Sequence, residues 1–334
     1  MKFINSTPYP ARFTTGSSGQ KEIIGVTACK VTYQVQNEIL LPVTGEEAWP
    51  VFDKPYVFEG IPLAPETDFR KKGTDLLIFG SAVTPDDFPV VSMQVAVSCG
   101  KINHRTTVFG DRVWEKGPGG FRPTPPKPFT SMPLTNNRTF GGSAKLQDSE
   151  VVHAVNPEGR GFLLEENRVE GTRLPNIEDP DHLITQWTDT PRPACWFKPA
   201  GFLQAKSARE ISPETLPLTM MQSLFNQSVP ELSAAPEKLG KTLRLVGFSK
   251  DGDILFPIPE IRGPIVDVRV GTIKDEFPTI LSTVIVLPGE KIIIATYTVL
   301  FRYLMQPFEK RSVRLYWPGH SRRERPEKKE KTDV

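Results

Sequence analysis

The stretch Glu22–Gln36, EIIGVTACKVTYQVQ, sets the reading of the chain, with Val26, Ala28, Val31, Tyr33 and Val35 apolar among polar neighbours. Alternation with a period of two marks a strand, and β-branched and aromatic side chains favour one. The phase slips near Cys29, which predicts a bulge or two strands. Further strands are expected at Asp75–Ala82, and at Val90–Cys99 and Lys101–Phe109, the last two forming a hairpin across Gly100. The last third repeats the pattern. Thr242–Phe248 and Asp253–Phe256 flank an Asp251-Gly252 turn, and Ile261–Val270, Thr279–Leu287, Lys291–Phe301 and Val313–Trp317 follow.

Residues 115–240 read differently. Runs such as GPGGFRPTPPKPF (Gly117–Phe129) and TPRPACWFKPAGF (Thr190–Phe202) are too rich in proline for a helix and too aromatic for a flexible linker. They are expected as ordered loops laid over a sheet, anchored by Phe121, Phe129, Phe140, Trp187 and Trp196. One helix is expected, over Pro213–Gln227, where Leu218, Met221, Leu224 and Phe225 recur at helical steps. Proline supplies 33 of 334 residues, roughly twice ordinary usage, which disfavours helical bundles and doubly wound folds. The expected fold is therefore mainly β: a sandwich-like core of N- and C-terminal strands, long ordered Pro/Gly-rich loops between, and little helix. It forms a single domain over residues 1–318, strand-rich over 20–114 and 241–318, with a charged disordered tail over 319–334.

Lys and Arg number 41 against 39 Asp and Glu. Residues 320–334 hold six of the bases and four of the acids, leaving 35 of each in the body. A neutral body gives no footprint for nucleic acid. The N-terminal residues carry no apolar signal-peptide core, and no apolar run approaches the ~20 residues of a membrane span. Cys29, Cys99 and Cys195 are scattered and odd in number, as in a reduced cytoplasmic protein.

Catalytic and metal motifs are weak. There is no GxSxG elbow, and His104, His153, His182 and His320 stand in no catalytic pattern. Cys195 reads as a buried thiol rather than a nucleophile. His182 beside Asp181 lacks a second ligand at metal spacing, so EDPDH reads as a solvated loop. Asp251-Gly252-Asp253 is a hairpin turn rather than a calcium loop. Gly16–Gly19 lacks P-loop spacing, and Gly141-Gly142-Ser143 reads as a turn. Val108–Trp114 (VFGDRVW) places Arg112 and Trp114 two residues apart. A buried Arg–Asp pair there would be structural, and an exposed one a recognition site.

Read in order, Lys72-Gly73-Thr74-Asp75, Phe109-Gly110-Asp111-Arg112-x-Trp114, Met132-Pro133-Leu134, Phe140-Gly141-Gly142, Asn156-Pro157-x-Gly159-Arg160-Gly161, Leu174-Pro175-Asn176-Ile177-Glu178 and Phe225-Asn226 form a succession. It resembles a bacterial domain-of-unknown-function family of type VI secretion effector adaptors, encoded beside VgrG spike and PAAR-like proteins. The resemblance covers roughly residues 20–305. It implies a cytoplasmic adaptor or chaperone that binds a PAAR-like or toxin-bearing effector and assists its loading onto the VgrG spike. No catalysis, cofactor, metal, nucleic acid or membrane insertion is implied. The motif residues Asp75, Asp111, Arg112, Trp114, Pro133, Asn156, Arg160, Pro175, Asn176 and Glu178 are expected to hold the loops or face a partner. Two alternatives stand beside it: a hydrolase using carboxylates among Glu165, Glu166, Glu178 and Asp179, and a carbohydrate-binding module presenting Trp114, Trp187 and Trp196.

Overall fold

A computed structural model describes residues 1–17, 22–67, 71, 73–199, 226–304 and 310–318. In chain order the strands of its two large sheets are β1 (Lys2–Asn5), β2 (Ala11–Ser17), β3 (Glu22–Gln36), β4 (Ile39–Val43), β5 (Thr74–Ile78), β6 (Ser92–Cys99), β7 (Ile102–Phe109) and β8 (Ile177–Glu178). They continue as β9 (Ser233–Ala234), β10 (Thr242–Val246), β11 (Ile254–Pro257), β12 (Arg262–Val270), β13 (Ile273–Leu287), β14 (Ile292–Leu304) and β15 (Arg311–Tyr316). Among the described residues no helix reaches seven residues, and the fold is mainly β, as expected. The helix expected at Pro213–Gln227 lies, up to residue 225, outside the described residues, as does the tail from residue 319.

The first sheet runs β1-β15-β12-β13-β14-β3-β2, with β4 also on β3 and β5 also on β13. The long strands β3 and β13 change neighbours halfway, while β14 runs along β3 over its whole length and along β13 over Ile292–Thr298. β2 pairs with Ile23–Cys29 of β3 and β4 with Thr32–Gln36. β12 pairs with the first half of β13, and β5 runs parallel to Thr283–Val286. The sheet thus divides into two halves that share three strands. One half curls until β1 and β2 nearly meet, where Phe3 stacks on Phe13 at 5.9 Å. Phe13, Phe301 and Phe277 continue the stack, at 6.0 and 5.5 Å. The row passes over Gly25, where a Cβ would lie 2.6 Å from the Phe301 ring, so glycine lets the rings of the flanking strands close. Val266, Val268, Val313 and Leu315 fill this curl.

The other half packs on the second sheet, β8-β7-β6-β10-β11. Leu76, Ile78, Val95, Val97, Leu245, Ile285 and Ile293 form the main core between them. A third core, Trp114, Phe140, Val169, Leu174 and Ile184, lies within the loop-rich middle.

Several expectations change. The slip at Cys29 is neither a bulge nor a break, because β3 is one strand of 15 residues. It is buried on both faces: Cys29 and Val31 enter the cores, while Lys30 and Thr32 face the segment Trp49–Glu66. A strand covered on both sides carries no clean alternation. Lys30 Nζ lies 2.7 Å from Glu66 and 4.6 Å from the Phe52 ring centroid. β13 starts at Ile273 rather than Thr279, since Ile273–Glu276 is exposed and charged while paired to β12. Asp75–Ala82 divides into β5 and a short strand Ser81–Val83, and β1 and β2 carry no signal strong enough to predict.

Candidate functional site

Most of the motif residues converge on one knot that ties the middle loops to the edge of the second sheet. It begins with close backbone approach. Gly141 has φ +142°, and a Cβ there would meet the Asn156 carbonyl at 2.2 Å. This lets Phe140–Gly141 run parallel to Arg160–Gly161 as a two-residue ladder, so Gly141-Gly142 is a packing site as well as a turn. Asn156 is buried, and its Nδ2 donates to the Asn136 carbonyl (3.0 Å), Thr139 Oγ1 (2.8 Å) and the Phe140 carbonyl (3.1 Å).

Asn176 is the hub. Its backbone bonds Phe109 on β7 and Arg138, at 2.7 and 2.9 Å. Its Nδ2 donates to the Phe109 carbonyl and to Asp111 Oδ1, both at 3.1 Å. Its Oδ1 accepts from Arg138 Nη1 (3.1 Å) and Arg160 Nη1 (3.2 Å). Four chain segments thus meet on one fully buried amide. Arg160 also donates through Nε to the Asn137 carbonyl at 2.8 Å. Burial, and then the neighbouring positive charge of Arg138, hold its pKa below the ordinary value. Arg160→Ala removes both bonds and should cost about 1 to 2 kcal/mol. A thermal melt checks this, and an unchanged melting temperature would remove Arg160 from the knot.

Arg112 pairs with Glu178, not with Asp111 as its sequence neighbour suggested; Asp111 is exposed. Arg112 Nη2 donates to Glu178 Oε1 and to the Pro175 carbonyl (2.9 Å), and the guanidinium lies 4.0 Å from the Phe109 ring centroid. Glu178 Oε2 accepts from the Ile184 amide at 2.8 Å. Burial raises the Glu178 pKa, and Arg112 opposes that rise. Trp114 packs in the third core. Pro133 stands apart, exposed on a two-strand ladder with Ser81–Val83.

Asp75 anchors a second cluster, on β5. Fully buried, it accepts from Lys71 Nζ (2.8 Å), Asn226 Nδ2 (2.5 Å), the Gln227 amide (2.8 Å) and Ser228 Oγ (2.9 Å). Lys71 also reaches Thr283 Oγ1 on β13 at 2.7 Å. Lys198 lies in the same field: burial pushes it down to about 8, against the pull of Asp75. The sequence singles out neither lysine: Lys71 stands only four residues before Asp75 but in no motif that marks the pair, and Lys198 is distant in the chain.

The structure adds a site that the sequence does not flag. A cleft of about 210 Å3 is lined by His104, Arg105, Asp179, Arg192, Cys195 and Glu231, among others. His104 Nε2 is buried with no hydrogen-bond partner, and the ring meets Trp196 edge-on at 4.7 Å. Burial pushes His104 down to about 4. Unfolded, the imidazole takes its proton near pH 6.5; folded, it refuses it until about 4. Stability therefore falls as pH drops through this window, by about 2 kcal/mol between pH 7 and 5. Urea unfolding of wild type and His104→Gln at both pH values checks this: the slope should shrink in the variant, and equal slopes would contradict it. Cys195 is buried beside this cleft, its thiol pushed up to about 12 by burial, with Thr139 Oγ1 at 3.3 Å.

The carboxylates of the hydrolase alternative part company. Glu178 is locked on Arg112, Glu165 lines a different cleft beside Gly141, Asp179 lines that of His104, and Glu166 is exposed. Asp179 accepts instead from exposed His182, at 3.1 Å. Of the tryptophans of the carbohydrate alternative, Trp114 and Trp196 are buried rather than presented, while Trp187 is half-buried against the third core. Among the described residues no group of three His, Cys, Asp or Glu side chains is placed to hold a metal, and no helix is long and apolar enough to cross a membrane.

The fold and the knot define a mainly β protein whose long central loops are locked by buried polar contacts. The chain belongs to a bacterial family described as "Uncharacterized protein conserved in bacteria (DUF2169)", which it matches over residues 20–298. No curated protein and no solved structure matches it.

Proposed function

We propose that this protein is a cytoplasmic type VI secretion effector adaptor. It binds a PAAR-like or toxin-bearing effector and assists its loading onto the VgrG spike, by binding alone and without catalysis. The observation that carries the reading is how the family-motif residues are used. Asn156, Asn176, Arg112 and Glu178 are buried, and their hydrogen bonds and ion pair fix the backbone of the long loops from within. Rigid loops on a sheet scaffold suit protein recognition, because little conformational entropy is lost on binding. An adaptor that binds only the loading-competent form of its cargo stabilises that form by mass action.

The test is an affinity pull-down of the tagged protein from its own cells, with partners identified by mass spectrometry. Recovery of a VgrG- or PAAR-containing protein bearing a toxin domain is the expected result. A bait free of such partners, from cells shown to express the secretion system, would overturn the proposal.

A further inference from the structure

Three hairpin turns converge at one end of the sandwich. They are Asn37-Glu38 between β3 and β4, Asp251-Gly252 between β10 and β11, and Pro288–Lys291 between β13 and β14. Together with the inner part of β11 they line a cleft of about 800 Å3. Its flanks are the outermost strand of the second sheet, β11, and β4 on the first. Both carry exposed apolar side chains: Leu255, and Ile39 and Leu41. An uncovered edge strand offers unpaired backbone groups to an incoming extended segment.

A fourth loop stands beside the cleft. In Pro85-Asp86-Asp87-Phe88-Pro89 both aspartates lie in the left-handed region, at φ 51° and 55°. Two consecutive non-glycine residues there are uncommon, and such outliers persist where the surroundings hold them. Here the Asp86 amide bonds the Lys250 carbonyl at 3.3 Å, and Lys250 Nζ lies 3.4 Å from Asp87, so the loop is tied to the cleft's own turn. The bend lifts Phe88 outward, leaving it 72% exposed, with Val91 also exposed nearby in the chain. An aromatic held out on an ordered backbone has the character of a binding anchor.

Charge selects the occupant. Asp253 is paired with Arg244 and Asp87 with Lys250. Glu38 and Asp251 line the cleft, Glu290 stands on its Pro288–Lys291 turn and Asp86 on the neighbouring loop; among the described residues none of the four forms an ion pair, and Lys291 is the remaining base on these turns. Two unpaired carboxylates in the lining and two on the adjoining loops, against one ammonium, give this end an acidic character.

We propose that this end of the sandwich is where the partner docks, and that it takes a basic, extended protein segment carrying an apolar side chain that packs on Phe88. The inference rests on the adaptor reading and names the chemistry of the cargo segment.

The probes are two fluorescein-labelled 12-residue peptides, one alternating Lys and Thr around a central Leu, the other with Glu for Lys. In anisotropy titrations the basic peptide should bind at least about tenfold tighter than the acidic one. Phe88→Ala should weaken it about tenfold, as loss of an anchor does, and the pair Glu38→Lys, Asp251→Lys should reverse the preference. Circular dichroism melts confirm that these exposed substitutions leave the fold intact. Equal binding of both peptides, binding of neither, or indifference to Phe88→Ala would overturn the proposal. The pull-down, repeated with Phe88→Ala, separates the two readings. Cargo recovered equally by wild type and variant overturns the docking surface and leaves the adaptor standing. Cargo recovered by neither overturns the adaptor, and the peptide titration still decides the surface.

Discussion

Asp75→Ala should lower the folding free energy by about 3 to 5 kcal/mol, the range for breaking a buried ion pair from one side. Asp75 is fully buried and accepts from Lys71, Asn226, Gln227 and Ser228. Alanine strands the Lys71 ammonium, whose side chain is only 11% exposed, and leaves buried amide and hydroxyl donors unpaired. It also releases Asn226–Ser228 from β5 at the point where Ser228 bridges to Phe197 and the Lys198 amide bonds the Gln227 carbonyl at 2.8 Å. Lys198 loses the carboxylate that raises its pKa, so it should deprotonate at still lower pH than wild type. Urea unfolding followed by tryptophan fluorescence measures the loss. The double variant Asp75→Ala, Lys71→Met should recover about 1 to 2 kcal/mol, because no bare ammonium is then buried. A loss below about 1 kcal/mol in the single variant would mean that the carboxylate does not hold the segment.

Arg112→Ala should cost a similar amount, about 3 to 5 kcal/mol at neutral pH, and its signature is the pH dependence. Burial already raises the Glu178 pKa, and Arg112 opposes that rise. Without the guanidinium the folded-state pKa climbs further. A carboxyl whose folded pKa lies above its unfolded value favours folding while protonated, and that contribution is lost as pH rises through the folded pKa. The deficit of Arg112→Ala relative to wild type should therefore shrink from pH 8 to pH 5. A deficit that stays constant would show that lost packing over Phe109, not the stranded carboxylate, dominates. Replacing both partners, Arg112→Leu with Glu178→Leu, should bring stability back to within about 2 kcal/mol of wild type, since a packed apolar pair needs no charge compensation.

The β character was legible because alternation in Val95–Cys99 and Ile102–Val108 reports one face on the core and one on solvent. Their hairpin about Gly100, and the one about Asp251-Gly252, were legible from turn chemistry alone. β3 was harder, since a strand covered on both faces loses its period. β1 and β2 were not legible at all: their place depends on Phe3 meeting Phe13 across the closing curl, a contact between opposite ends of a seven-strand path.

The candidate site divides in the same way. The unusual residues can be picked out along the chain: the glycines and proline-flanked asparagines of the middle, Asp75, and the Asp111–Trp114 turn. Turn and composition signals are local and survive in one dimension. Their partners are set by the folding of the chain in space. Arg112 takes Glu178, 66 residues on, over adjacent Asp111, and Asp75 takes Ser228, 153 residues on. A buried charge needs a counter-charge and donors wherever the fold brings them, and sequence spacing carries no record of which loop will arrive. The same holds for the cleft beside Phe88, assembled from turns that only the closing of the two sheets brings to one end.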